Sequence, residues 1–149
     1  MVKVLVKRLN SKVKLPEYKT SGSSGMDLMA CLDSPIKIAS NSLELIPTGL
    51  SIAMPEGLEI QIRPRSGLAA KSNIGILNTP GTIDSDYRGE LKIILFNHGN
   101  EDFIVNNNDR VAQMVLMPIL KMELEEVDQL PESIRGLGGF GSTGKWKIF

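Results

Sequence analysis

Short stretches in which apolar and polar residues alternate recur along the chain, separated by clusters of Gly, Pro, Asn and Asp. A period of two at this spacing is the pattern of a β-sandwich or barrel, and no long helix is expected. Residues 2–7 (VKVLVK) alternate and residues 58–63 (LEIQIR) do so strictly, so each is expected to be a strand with one face on a core. Further strands are expected at residues 42–46 and 49–53 around Pro47-Thr48, and at 91–97, 103–105, 111–120 and 122–127. Helical character is confined to residues 66–71, where Leu68-Ala69-Ala70-Lys71 are good helix formers and Ser66 can cap them. The expected class is all-β.

With 149 residues and an apolar share of 42%, the chain suits one ordered domain with a real core. Beyond Pro131 its character changes, and residues 135–144 hold five glycines in ten, leaving few side chains to bury. The expected organisation is a β core over residues 1–134 and a flexible glycine-rich arm over residues 135–149. Basic and acidic residues number 17 each, so no global field exists to hold nucleic acid or an anionic membrane. The balance is uneven, with six basic residues against one acid in residues 1–20 and five acids against one Lys in residues 121–132. The bland reading is two solvated surfaces, and the alternative is a basic strand pairing with an acidic segment of a neighbouring subunit. No apolar run approaches the roughly 18 residues of a membrane span and residues 1–3 do not begin a signal peptide, so a cytoplasmic location is expected. Cys31 and His98 are the only residues of their types. They cannot build a Cys/His zinc site, which leaves carboxylates to carry any chemistry.

Polar residues gather at five places. Asp27, inside an apolar run, either caps a turn or holds a hydrated divalent cation, since Mg²⁺ often uses one protein carboxylate beside substrate phosphates. Arg63-Pro64-Arg65-Ser66-Gly67, where a strand meets the short helix, suits a phosphate or is an ordinary cap. Residues 78–90 hold three acids and one Tyr in a hairpin-like turn; Asp84 is a candidate general base and Tyr87 a candidate platform for a sugar, against the reading of an exposed acidic tip. Gln113 interrupts an apolar strand and needs either a ligand or a backbone partner. The arm offers bare N–H groups and the hydroxyls of Ser142 and Thr143, able to wrap a phosphate chain unless the tail is merely disordered, and an isolated aromatic, Phe140, with no core nearby. Residues 139–145 match the start of a P-loop, but Trp146 stands where Ser or Thr is needed, and no strand precedes the match.

In this order and spacing, Gly25-Met26-Asp27-Leu28, Pro64-Arg65-Ser66-Gly67-Leu68-Ala69, Gly81-Thr82-Ile83-Asp84-Ser85-Asp86-Tyr87-Arg88-Gly89, Arg110-Val111-Ala112-Gln113 and residues 135–144 (RGLGGFGSTG) span nearly the whole chain. The set resembles the five motifs of the homotrimeric dUTPase family, diphosphatases that convert dUTP to dUMP and pyrophosphate, supplying dUMP for dTTP synthesis and keeping uracil out of DNA. The resemblance implies a jelly-roll-like β-barrel trimer whose three active sites are each built from all three subunits. It implies that Asp84 activates the attacking water and that Asp27 holds, through water, a Mg²⁺ chelated by the triphosphate. Arg65, Ser66, Gly67 and Gln113 would bind phosphates; Asn78 and the hairpin around Gly81, Thr82 and Ile83 would read uracil, with Lys92 nearby; Tyr87 would pack on the deoxyribose. Arg135, Phe140, Gly141, Ser142 and Thr143 would close over the substrate. Ser24 departs from the family's usual Ala, and residues 145–149 run beyond the last motif. A dCTP deaminase of the same fold and a non-catalytic regulatory trimer are the alternatives, opposed by the intact hairpin and by the presence of Asp27, Asp84, Tyr87 and Phe140. A nucleic-acid-binding module, suggested by the basic first twenty residues, is opposed by the zero net charge.

Overall fold

A computed structural model describes residues 1–139. Its elements are β1 (Leu5–Arg8), β2 (Met26–Met29), β3 (Ile36–Ile38), β4 (Leu43–Ala53), β5 (Leu58–Arg63), α1 (Ser66–Ser72), β6 (Ile74–Ile76), β7 (Gly81–Ile83), β8 (Glu90–Asn97), β9 (Phe103–Val105) and β10 (Arg110–Pro118). Two four-stranded antiparallel sheets run β1-β4-β8-β6 and β2-β10-β5-β7, and β3 pairs with β9 apart from them. The inward residues of all three form one core, with Leu28, Ile38, Ile46, Ile62, Ile74, Ile93, Val105 and Val111 fully or nearly fully buried. Branched aliphatic side chains dominate it, as expected where strands pack face to face. The all-β class holds, and β5 buries Ile60 and Ile62 as its alternation requires. No helix among the described residues is long and apolar enough to cross a membrane.

Several expectations need correction. The first strand begins at Leu5 and buries neither face, because β1 is an edge strand paired only with β4. The runs at 42–46 and 49–53 are one strand, β4, whose register against β8 shifts between Pro47 and Ser51. Gly49 makes that irregularity possible: its φ is +67°, and a Cβ there would lie 2.6 Å from Val13. Ser66 does not cap α1; Arg65 is the N-cap, without a side-chain hydrogen bond. Residues 122–127 form no strand. Residues 122–125 do alternate, but among the described residues no strand pairs with them, and Met122 and Leu124 stand 83% and 85% exposed.

Candidate active site

Asp27 lies on β2 directly opposite Gln113 of β10, and Gln113 lies opposite Arg63, the last residue of β5. The chain then turns through Pro64 into α1, which delivers Arg65 to the same place. Arg65 Nε donates to Asp27 Oδ1 at 2.9 Å and Arg110 Nη1 to Oδ2 at 3.1 Å, while Arg65 Nη1 bonds the Arg110 carbonyl at 3.1 Å. One carboxylate therefore faces two guanidinium groups, an excess of positive charge suited to a polyanion. The Gln113 amide donates to the Pro64 carbonyl at 3.1 Å. Gly25 fits tightly beside it, since a Cβ there would lie 3.0 Å from the Met114 carbonyl and 3.1 Å from Gln113 Oε1. Ser66 and Gly67 are exposed at the start of α1, with open space around Gly67. Asp27 is thus a strand residue rather than a turn cap.

Arg110 is a contact that spacing hides. In a regular strand residues three apart face opposite ways, so Arg110 should point away from Gln113. The register shifts between Arg110 and Ala112, against consecutive residues Met29 and Leu28, and this bulge turns Arg110 toward Asp27.

The second group gathers on the far edge of the same sheet. On β7, Gly81, Thr82 and Ile83 pair with Ile62, Gln61 and Ile60 of β5. Gly81 is buried with the Asn78 amide against it, where a Cβ would lie 3.2 Å from Nδ2. Asp84 follows at the turn, exposed, its carbonyl accepting from the Tyr87 N–H at 3.2 Å. It borders an open cleft with Leu58, Glu59, Asp86, Arg88 and Lys121. At the cleft's rim Lys121 pairs with Glu56 at 2.7 Å; the bond and charge of Lys121 hold Glu56 below the usual carboxylate range, and Glu56, with Asp86, raises Lys121. Arg88 ties the tip by donating to the carbonyls of Ser85 and Tyr87. The Tyr87 hydroxyl donates to the Glu90 carbonyl at 3.0 Å. Lys92, exposed on β8, lies 3.8 Å from Glu90.

In one chain, then, the candidate residues form two half-sites. β2 and β7 are the outer strands of a four-stranded sheet, so Asp27 and the Asp84 turn stand three strand spacings, roughly 14 Å, apart across the sheet, and the registers set them further apart along it, Asp27 level with Arg63 and Ile83 level with Ile60 of β5. Arg135 belongs to neither, its Nε bonding the Gly138 carbonyl at 2.7 Å. Phe140, Gly141, Ser142 and Thr143 lie outside the described residues. His98 is exposed, its ring tilted at 49° to that of Phe96 with centroids 4.4 Å apart, and Cys31 has its thiol pKa raised, chiefly by burial and then by Glu90 and Asp33. No cluster of three or more His, Cys, Asp or Glu able to hold a metal occurs among the described residues. A lone Asp27 carboxylate fits a cation brought by a ligand and held through its waters, not one caged by protein.

The dUTPase family model matches residues 11–144. Deoxyuridine 5′-triphosphate nucleotidohydrolases are similar along almost their whole length: that of Syntrophotalea carbinolica is 50% identical over 143 residues, covering 96% of this chain and 97% of the relative. That of Treponema denticola is 53% identical over 137 residues, covering 92% and 95%. Among solved structures, a mutant dUTPase of Staphylococcus bacteriophage 80alpha with dUpNHpp superposes with a TM-score of 0.86 at 24% identity, covering 96% of this chain and 99% of that one. A mutant dUTPase from phage phi11 of S. aureus, described with a structural Mg(II) ion, gives 0.78 at 22% identity, covering 87% and 99%. These two share the jelly-roll-like β fold. On the family match and on relatives at half identity over nearly the full chain, this protein belongs to the dUTPase family.

Proposed function

We propose that this chain, a dUTP diphosphatase by family, cleaves dUTP to dUMP and pyrophosphate by attack of water on the α-phosphorus in sites shared between the subunits of a homotrimer. The observation that carries this reading is the pair of half-sites: a phosphate-attracting group around Asp27, Arg65, Arg110 and Gln113 on one sheet edge, and an exposed carboxylate on the hairpin at the other.

Asp84 takes a proton from water as the water oxygen bonds to the α-phosphorus, and the bond to the bridging oxygen breaks with its electron pair leaving on pyrophosphate. Arg65, Ser66, Gly67 and Gln113 hold the phosphates. Asn78 and the backbone of Gly81, Thr82 and Ile83 read the uracil edge, where a cytosine amino group would leave buried partners unpaired at about 1–3 kcal/mol each. Tyr87 packs on the deoxyribose, and Lys92 lies near that end. Asp27 would hold, through water, a Mg²⁺ brought by the triphosphate, which when bound would neutralise phosphate charge. Residues 135–149 form an arm apart from the core of residues 1–134, and its Arg135, Phe140, Gly141, Ser142 and Thr143 close over the substrate and exclude water.

Sharing between subunits is supported by the separation of the half-sites and by apolar surface a lone chain leaves bare. Leu45 pairs with Ile94 across β4 and β8, Leu77 N–H bonds the Ile94 carbonyl, and Leu43, Leu45 and Leu77 are all about half exposed. The bare alternating segment at 122–127 and the exposed edge strand β1 carry opposite charge, which supports their pairing between copies. A cytoplasmic enzyme acting on a small molecule, with neither nucleic acid nor membrane as partner, agrees with the balanced charge. The test is pyrophosphate release from dUTP, dCTP, dTTP and UTP, with Mg²⁺ and with a chelator. Release confined to dUTP and lost with the chelator is expected. Ammonia from dCTP would mean a deaminase, and no reaction at all a regulatory trimer.

A further inference from the structure

The hairpin after β7 doubles back at Tyr87, and the ring lies over the backbone two residues on. A Cβ built on Gly89 would fall against Tyr87 Oη, 2.5 Å from Cζ and 2.9 Å from Cε2, and these three are the nearest atoms to it. Nothing else in the fold crowds that position so closely. Gly89 does not have a positive φ, so its backbone accepts an L side chain without strain. A methyl group at residue 89 would therefore spare the chain and move one thing, the far end of the tyrosine. The ring's other fastening is the bond from its hydroxyl to the Glu90 carbonyl. That carbonyl is itself fixed: Glu90 opens β8 opposite Ser51, and its carboxylate accepts the Gly49 N–H at 2.8 Å inside the irregular part of β4.

We propose that Gly89 is a specificity-determining position of this enzyme: by having no side chain it seats the Tyr87 ring, and so sets how strongly 2′-deoxy nucleotides are preferred over 2′-hydroxy ones. The proposal rests on the reading that Tyr87 packs on the sugar. Gly89 is a positioning residue acting through Tyr87. A ring pushed off its seat no longer occupies the space a 2′-hydroxyl would need, and discrimination falls while the chemistry at Asp84 continues.

The experiment measures kcat/KM for dUTP and UTP in the full-length wild type, Gly89→Ala, Tyr87→Ala and the double variant, with thermal melting of each. Gly89→Ala is expected to melt like wild type and to lose at least about tenfold in the dUTP:UTP ratio. In the Tyr87→Ala background the same substitution should change the ratio no further, because the only group it acts through is gone. An unchanged ratio in Gly89→Ala, beside a lowered one in Tyr87→Ala, overturns the proposal and leaves the role of Tyr87 standing. An unchanged ratio in Tyr87→Ala overturns the sugar-packing reading itself. A Gly89→Ala chain that fails to fold also overturns the proposal, since more than the ring would then depend on the missing side chain.

Discussion

The two outer strands of the β2-β10-β5-β7 sheet each present an aspartate, and the fold treats the two in opposite ways. Asp27 has a side chain only 21% exposed, with both oxygens committed to guanidinium groups at 2.9 and 3.1 Å. Asp84 is exposed and its carboxylate receives no hydrogen bond or ion pair among the described residues; its backbone alone is engaged. The contrast agrees with the roles proposed above: a carboxylate that organises positive charge for a polyanion needs company, whereas one that would accept a proton from water has to be left uncommitted. Charge pairing builds the first edge, and backbone geometry builds the second.

The largest effect should come from Asp84→Asn, which keeps shape and removes the proton acceptor. Turnover is expected to fall about 10²–10⁴-fold with the KM for dUTP little changed, and a kcat within about threefold of wild type would erase the contrast between the edges. Truncation after Pro131 leaves both edges intact, so a folded trimer with turnover down about 10²-fold is expected from loss of closure. A full-rate truncation would remove the arm from the mechanism. Arg65→Ala deletes a charged partner of the phosphates, worth about 10–150-fold in kcat/KM. Mixing it with Asp84→Asn sharpens the comparison further. If each site takes one edge from each of two subunits, an equal mixture reassembled after dissociation should recover activity in about a quarter of the sites; no recovery would mean that both edges serve a site within one chain.

The smallest effect belongs to the Glu56–Lys121 pair at the rim of the Asp84 cleft. Glu56 is lowered by Lys121, so its contribution is present above the ordinary carboxylate pKa and fades as pH falls through the lowered value. Lys121 is raised by Glu56, so its contribution is present below the ordinary lysine pKa and fades as pH rises through the raised one. Both groups are solvated, and Lys121→Met should lower the Tm slightly at low salt and not at 1 M, where the screening length is about 3 Å. A loss surviving high salt would point to packing instead of charge.

Alternation made the long strands legible, because a period of two over six or more residues leaves little else to choose. It missed β3, β6 and β7, three residues each and too short to show a period, and β2, whose apolar run is broken by Asp27; β9 is equally short and was legible from its aromatic and β-branched residues rather than from a period. The segment at 122–127 failed for a different reason. Period identifies faces, not neighbours, and among the described residues no strand pairs with it. At the site, the motifs pointed to residue types, and the family resemblance implied their roles. It said nothing of which edge each motif occupies, of the bulge that swings Arg110 onto Asp27, or of the tyrosine ring resting on Gly89, since these depend on register and rotamer.

The double clasp on Asp27 also bears on what can enter. An arriving anion does not meet bare arginines; it must displace a carboxylate tethered within reach of both, whose effective concentration is of millimolar order or higher. Chloride or a lone inorganic phosphate has little to offer in that exchange. A polyphosphate arriving with its own cation replaces both halves of the bargain at once, giving the arginines new oxygens and the released aspartate a new positive neighbour, so the clasp works as a filter against the simple anions that crowd every cell.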